Sequence, residues 1–273
     1  MRARVLGRGL LPLAAFSAVM IVSSAAMAQP ADLAAITAAV ADTHRTPAQT
    51  KRDQYRHPAE TLAFFGLRTD QTVVEFQPSG GWYTAILAPL VASKGHYIGL
   101  VQHSQKAQDG LAKLIAEGGE RYHGGTAATL DPAAGTSTVA DGSADVVLTF
   151  RNVHNLIMDG SATANGAFKA FYRMLKPGGV LGVEDHHLPE TADSAAEQKS
   201  GYLKRSTVVH LAEAAGFRLA GESDINANPK DTHDWPEGVW TLPPTLELGD
   251  KDREKYLAIG ESDRLTLKFV KPK

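Results

Sequence analysis

Cysteine is absent from all 273 residues, so no disulfide staples this fold and its core must suffice by itself. A cysteine-free chain is also compatible with an oxidising compartment. Charge of one sign is lacking too. Lys and Arg number 28 against 30 Asp and Glu, a net charge of −2, which gives no electrostatic reason to expect a nucleic-acid partner. Glycine and proline are dispersed, which excludes a collagen-like or low-complexity chain. No self-similarity with a period of about 20–50 residues marks a solenoid or propeller. Nor does any apolar run reach the roughly 20 residues a stable membrane span needs.

What is present begins with an export signal. Arg2, Arg4 and Arg8 form a basic start, Leu10–Val22 is an apolar stretch, and Ala26-Met27-Ala28 is a small-x-small cleavage site. Removing residues 1–28 leaves 25 basic and 30 acidic residues, a net charge near −5. A periplasmic or secreted location is therefore expected. An uncleaved anchor is the bland alternative.

The remainder, 43% apolar over the whole chain, is long enough for one substantial core. Residues 29–68 show helical patterning and read as an N-terminal lid. From residue 69 onward, apolar runs alternate with helical ones. Strands are predicted at Val73–Phe76, His96–Val101, Ala127–Leu130, Asp145–Phe150, Val180–Glu184, Phe217–Ser223 and Leu265–Val270. Helices are predicted at Trp82–Ala92, Ser104–Glu117, Ala164–Leu175 and Lys204–Ala215. This alternation implies an α/β, Rossmann-like, seven-stranded, mostly parallel sheet with helices on both faces. The last two strands suggest an antiparallel pair at its edge. Between them, residues 225–263 carry Trp235, Trp240 and several prolines without a strong helical pattern, and read as a covering loop.

The most informative stretch is Thr72–Thr84, TVVEFQPSGGWYT. A strand ending in Glu75 turns through small residues into a helix, which is how open α/β sheets cradle nucleotides. The spacing Glu75-x-Gln77-x-Ser79-x-Gly81 resembles the acid-x-Gly-x-Gly-x-Gly loop of class I S-adenosylmethionine-dependent methyltransferases, with Gln77 and Ser79 in place of glycines. Asp145 within ADGSADVVLTFRNVHN and the turn Leu175-Lys176-Pro177-Gly178-Gly179 are similar to later segments of that family. The resemblance runs from about Tyr55 to the C-terminus, most closely to exported predicted methyltransferases.

The resemblance implies S-adenosylmethionine as cofactor, held by Glu75, Gln77, Ser79, Gly80 and Gly81. It places Asp131 near the adenine and Asn152 at the carboxyl edge of the sheet. The family's second strand ends in an acid for the ribose; here that position is Val101, with the weaker acceptor Gln102 beside it. For proton removal from an acceptor, His154 and His186 are the candidate bases, since imidazole titrates near neutrality. His187, Glu184 and Asp185 stand beside them in GVEDHH. That run suggests metal ligands, but neighbours on a strand end point to opposite faces, so no metal is expected. Trp82, Tyr83 and Tyr202 are candidates for an aromatic acceptor pocket. The implied activity is methyl transfer to a small molecule or envelope component. A non-catalytic ligand-binding protein of this fold, or an interaction protein using the Trp/Pro flap, remains open.

Overall fold

The computed structural model describes Met1 and residues 31–273. The export signal read in residues 1–28 lies, apart from Met1, outside the described residues. Four short helices come first: α1 (Leu33–Val40), α2 (Pro47–Thr50), α3 (Asp53–Arg56) and α4 (Pro58–Phe65). A capping box fixes the start of α2. The Thr46 hydroxyl accepts from the Gln49 N–H while the Gln49 side chain accepts from the Thr46 N–H, with Pro47 in the first turn.

The sheet follows: β1 (Thr72–Phe76), α5 (Thr84–Val91), β2 (His96–Gln102), α6 (Gln105–Gly118), β3 (Thr126–Asp131), β4 (Thr136–Ser137) and β5 (Ala144–Phe150). After these come α7 (Val153–Met158), α8 (Ser161–Met174), β6 (Leu175–Leu188), β7 (Leu203–Lys204), α9 (Arg205–Ala215), β8 (Arg218–Ser223), α10 (Arg253–Ile259) and β9 (Arg264–Val270).

The strands lie in the order β4-β3-β2-β1-β5-β6-β9-β8, with β7 on β6. Pairs β3–β2, β2–β1, β1–β5 and β5–β6 are parallel. β9 runs antiparallel to both β6 and β8. The sheet is thus mixed and nine-stranded, not seven-stranded. The two extra strands, β4 and β7, are two residues each, too short to carry a period-2 signal. β6 also starts earlier than the pattern suggests: Leu175 pairs with Ala144 before a register shift to Val146 and Val180. A Cβ on Gly179 would sit 2.9 Å from the Lys176 carbonyl oxygen, so only glycine fits that kink.

Successive residues of β1 face opposite sides. Val74 and Phe76 join α8 and α9 residues such as Phe168, Phe171 and Leu211. Val73 joins Ile36, Leu62, Phe65, Ile86 and Leu87 of the first five helices. Both faces are covered, which is what a parallel sheet requires. Ile36, Leu62, Phe65 and Leu67 make this N-terminal segment part of the core on one sheet face.

Residues 225–263 contain a short turn of 3-10 helix (Gly238–Thr241) and α10, a helix missing from the sequence reading. Trp235 and Trp240 pack against a small cluster of Leu188, Tyr202 and Val239. Asp231 ties the segment down by accepting from the Tyr202 hydroxyl, the Trp235 indole N–H and the Asp263 N–H. The chain order reverses between β1 and β5, and in open α/β sheets ligands bind past the carboxyl ends of the strands at such a point.

Candidate functional site

The loop leaving β1 keeps a glycine-loop backbone without its glycines. Gln77 (φ 53°) and Ser79 (φ 53°) are both left-handed, as is Gly81 (φ 74°). A non-glycine residue there carries a steric cost of about 1–2 kcal/mol, so the neighbours must hold it in place. The Gln77 N–H donates to the Leu100 carbonyl at 2.7 Å, and Gly81 N–H to the Pro78 carbonyl at 2.9 Å. Asn152 braces the loop from the other strand, its amide nitrogen donating to the carbonyls of Phe76 (3.2 Å) and Phe150 (3.0 Å). The amide expected to face a ligand is thus engaged with backbone. A Cβ added at Gly80 would meet nothing within 4 Å, so the loop stands open at that point.

Beneath it lies a cavity of about 420 Å³ lined by Glu75, Gln77–Gly80, Trp82, Tyr83, Phe150, Arg52, Arg56 and Arg151, with Ala48 and Gln49 of the lid. Its size falls in the range of roughly 300–1,000 Å³ typical of small-ligand sites. Glu75 is buried at its floor. Its Oε2 accepts from the Thr84 and Tyr97 hydroxyls, each at 2.7 Å. Burial pushes its carboxyl up to about 7 despite those two bonds, so near neutrality it is divided between its neutral and charged forms.

The cationic wall of this cavity was not legible as such in the sequence. Arg56 is 1% exposed and its guanidinium stacks 4.3 Å from the centroid of Trp82. Burial lowers its pKa. Arg151, another residue with positive φ (59°), follows β5; burial, with Arg56 and Arg264 close by, pulls its pKa down to about 9. The fully buried Glu184 accepts from Arg264 Nη1 (2.8 Å) and the Tyr83 hydroxyl (3.1 Å). Glu261 takes Arg52 Nε at 2.5 Å and Arg264 Nη2 at 3.2 Å. Arg52 and Arg56 come from RTPAQTKRDQYRHP, which reads as an ordinary polar stretch until the lid folds onto the site.

A second cavity of about 220 Å³ adjoins the first, sharing Ser79 and Arg151. His154, His186, Asn152, Asn155, Trp240 and Pro243–Thr245 line it, so residues 225–263 contribute directly. Asp185 organises this corner. Its Oδ1 accepts from His154 Nδ1 at 2.7 Å and the His186 N–H at 2.8 Å; its Oδ2 accepts from the N–H groups of Val153 and His154. One carboxylate thus caps α7 and orients the His154 ring through Nδ1; in the neutral ring that bond leaves Nε2 as the unprotonated nitrogen. His186 Nδ1 lies 2.5 Å from the Ser262 hydroxyl. Burial, aided by His154 and Arg151, holds its pKa well below the usual imidazole range. His187 turns away to Asp263, and Tyr202 is buried in its bond to Asp231.

Ligand atoms of His154, Asp185 and His186 lie within 4.8 Å of one another. The strand neighbours Asp185 and His186 meet here despite their alternation, and His154 joins them from α7. Asp185 already accepts four N–H donors, however, about the full capacity of a carboxylate. The geometry is that of a carboxylate-oriented imidazole more than of an open metal site.

Three of the expected cofactor residues line neither cavity: Gly81 turns the loop against the Leu114 side chain, and Gln102 and Asp131 lie elsewhere. Gln102 ends β2 without lining either one, and Asp131 is exposed, its Oδ1 accepting from the Ala134 N–H as a turn cap. Val101 instead lines a small hollow of about 180 Å³ with Gln77, Pro78, Ser79, Leu111 and Leu114. That hollow has no ionisable residue. A larger cleft, about 910 Å³ around Lys176–Gly179 and the last residues, lies at the amino ends of the parallel strands, away from the switch point.

No family model matches the chain, and no curated protein matches it either. Solved structures do. A SAM-dependent methyltransferase from Aquifex aeolicus is 14% identical, with a TM-score of 0.56 over 88% of this chain and 98% of that one. The [4+2]-cyclase SpnF is 15% identical, with a TM-score of 0.57 over 85% and 84%. A SAM-dependent methyltransferase from Methanosarcina mazei is 11% identical, with a TM-score of 0.52 over 76% and 94%. At such identities the likeness speaks for architecture alone: the chain has the α/β, Rossmann-like fold of the class I S-adenosylmethionine-dependent methyltransferases.

Proposed function

We propose that this protein is an exported S-adenosylmethionine-dependent methyltransferase acting on a small molecule, free or part of the cell envelope. The observation that carries the reading is the left-handed backbone at Gln77, Ser79 and Gly81 following the buried carboxylate of Glu75. Side chains unsuited to that conformation hold it anyway, which is expected where a backbone shape is kept for a ligand. Glu75 and the Gln77–Gly81 loop would hold the cofactor, whose sulfonium supplies an activated methyl group. His154 takes the proton of an acceptor on Nε2, and Asp185 keeps the ring in the tautomer that permits it. The loop and lid wall the first cavity and would position the reactants, which is most of what methyl transfer asks of a protein.

A second reading, ligand binding without turnover, is favoured by the uncharged hollow at Val101. There no carboxylate meets a ribose, and each bond from such an acceptor is worth about 1.5–3 kcal/mol. Calorimetry of the purified chain with S-adenosylmethionine and S-adenosylhomocysteine decides the matter. Micromolar binding followed by methyl release onto an acceptor panel supports the enzyme. Binding without release supports the second reading, and no binding of either nucleoside removes the enzyme and confines the second reading to ligands of another kind.

A further inference from the structure

The charges around the first cavity do not balance. Four arginines gather there, Arg52, Arg56, Arg151 and Arg264, against the fixed carboxylates of Glu184 and Glu261 and the half-neutral Glu75. Arg264 and Arg52 take up Glu184 and Glu261 by direct bonds. Arg56 stacks on Trp82 and Tyr83 but has a single, distant carboxylate contact, its Nε 3.8 Å from Glu261. Among the described residues no hydrogen bond uses any of its five donors, and Nε is buried without a partner. Arg151 is in the same position, its Nε buried and unpartnered, as is Nη2 of Arg52. Buried guanidinium donors are rarely left unmatched in a native fold. Here several line one cavity.

The cavity also has an apolar side. Trp82, Tyr83, Phe150 and Pro78 line it, with Tyr83 stacked on Phe150 at a centroid distance of 3.5 Å. Arg151 and Ser79 belong to its boundary with the cavity of His154. A ligand whose acidic group sits among the arginines can therefore extend past Arg151 towards the free nitrogen of His154. Arg56 and Arg151 together offer about ten donors, against some four acceptor positions on a single carboxylate. The amino-acid carboxylate of a bound cofactor alone would leave most of them unmatched.

We infer that the methyl acceptor is a small organic anion, a carboxylate or phosphate on an apolar body, anchored by Arg56 and Arg151 with help from Arg52. The assignment of the anion to the acceptor rests on the methyltransferase reading; the anion site itself does not.

The probes are benzoate and phenyl phosphate, titrated calorimetrically into the full chain with and without saturating S-adenosylhomocysteine. Either probe should bind in the presence of the nucleoside. Arg56→Met and Arg151→Met should each weaken it about tenfold or more, as expected for a lost charge-assisted pair. Removing an unpartnered buried cation should leave the thermal midpoint unchanged or raised, whereas a structural arginine would lower it. Binding of neither probe overturns the inference, as does wild-type affinity in both variants. If the nucleoside competes with the probes and Arg56→Met weakens the nucleoside instead, the anion is the cofactor's own carboxylate and the acceptor assignment falls. If the probes bind and the nucleoside never does, the methyltransferase reading fails while the anion site stands.

Discussion

Replacing Gln77 with glycine should make this protein more stable, although it deletes a whole side chain. Gln77 sits at φ 53°, where a Cβ crowds the following carbonyl at a cost of about 1–2 kcal/mol. Glycine removes that cost and adds back about 0.5–1 kcal/mol of unfolded-chain entropy. No hydrogen bond in the described residues uses the Gln77 side chain; its contribution to the loop is the backbone N–H donated to Leu100, which glycine retains. The net gain is about 0.5–1 kcal/mol. The control is Gln77→Ala, which loses the same polar group but keeps the Cβ, so the glycine variant should exceed it by roughly 1 kcal/mol. Urea unfolding measures this directly, and in a thermal melt 1 kcal/mol corresponds to about 2–4 °C for a domain of this size. Equal stability of the glycine and alanine variants would refute the left-handed assignment and, with it, the argument that the loop keeps a glycine-loop shape.

Four further outcomes follow. Glu75 has its carboxyl raised from the ordinary 4.5 to about 7 by burial, so its favourable contribution is whole below about 4.5 and is lost as pH rises through about 7; Glu75→Gln should flatten the fall in unfolding free energy between those values. Arg264→Met should cost about 3–5 kcal/mol by stranding the buried Glu184, and adding Glu184→Gln should recover part of it in a double-mutant cycle. Gly166→Ala places a Cβ 1.9 Å from the Pro132 carbonyl oxygen, so equilibrium unfolding should show a loss of about 1–3 kcal/mol from forced displacement. Asp185→Asn should slow turnover by orders of magnitude with little change in cofactor affinity, because His154 loses the acceptor that sets its tautomer; an unchanged rate would remove His154 as the base.

Much of the sheet was legible because its signals are local. Val73–Phe76, Asp145–Phe150 and Leu265–Val270 are apolar runs bounded by turn residues, and each is a strand. What escaped was either too short or too dependent on context. β4 and β7 have two residues apiece. α7 follows β5 after only Arg151 and Asn152, and owes its start to Asp185, which lies some 30 residues away. The site divides in the same way. Glu75, Ser79, Gly80 and His154 stand out by residue type and spacing, and they line the cavities. Arg52 and Arg56 look like solvated charge in one dimension, and only the docking of Gln49 and Arg56 on Trp82 and of Arg52 on Glu261 turns them inward. Asp131 lies outside both cavities for the opposite reason: a carboxylate at a strand end satisfies a turn as readily as a ligand.

Three features of the first cavity are hard to explain as contributions to folding. Gln77 and Ser79 hold strained backbone, Glu75 is buried at a cost to its charged form, and Arg56 is buried with its donors unmatched. Each opposes the folded state, and the rest of the structure must offset all three, through Asn152 clamping the loop and two cores packed on the sheet faces. Left-handed non-glycine residues also occur at His57, His233, Leu246 and Asp252, so strain alone does not mark the site; its meeting with a buried acid and unpartnered cations does. All three meet in one cavity at the topological switch point, the pattern of a site shaped for a ligand. The inferred anion fits such a site where it faces Arg56, because its charge would match the buried guanidinium donors.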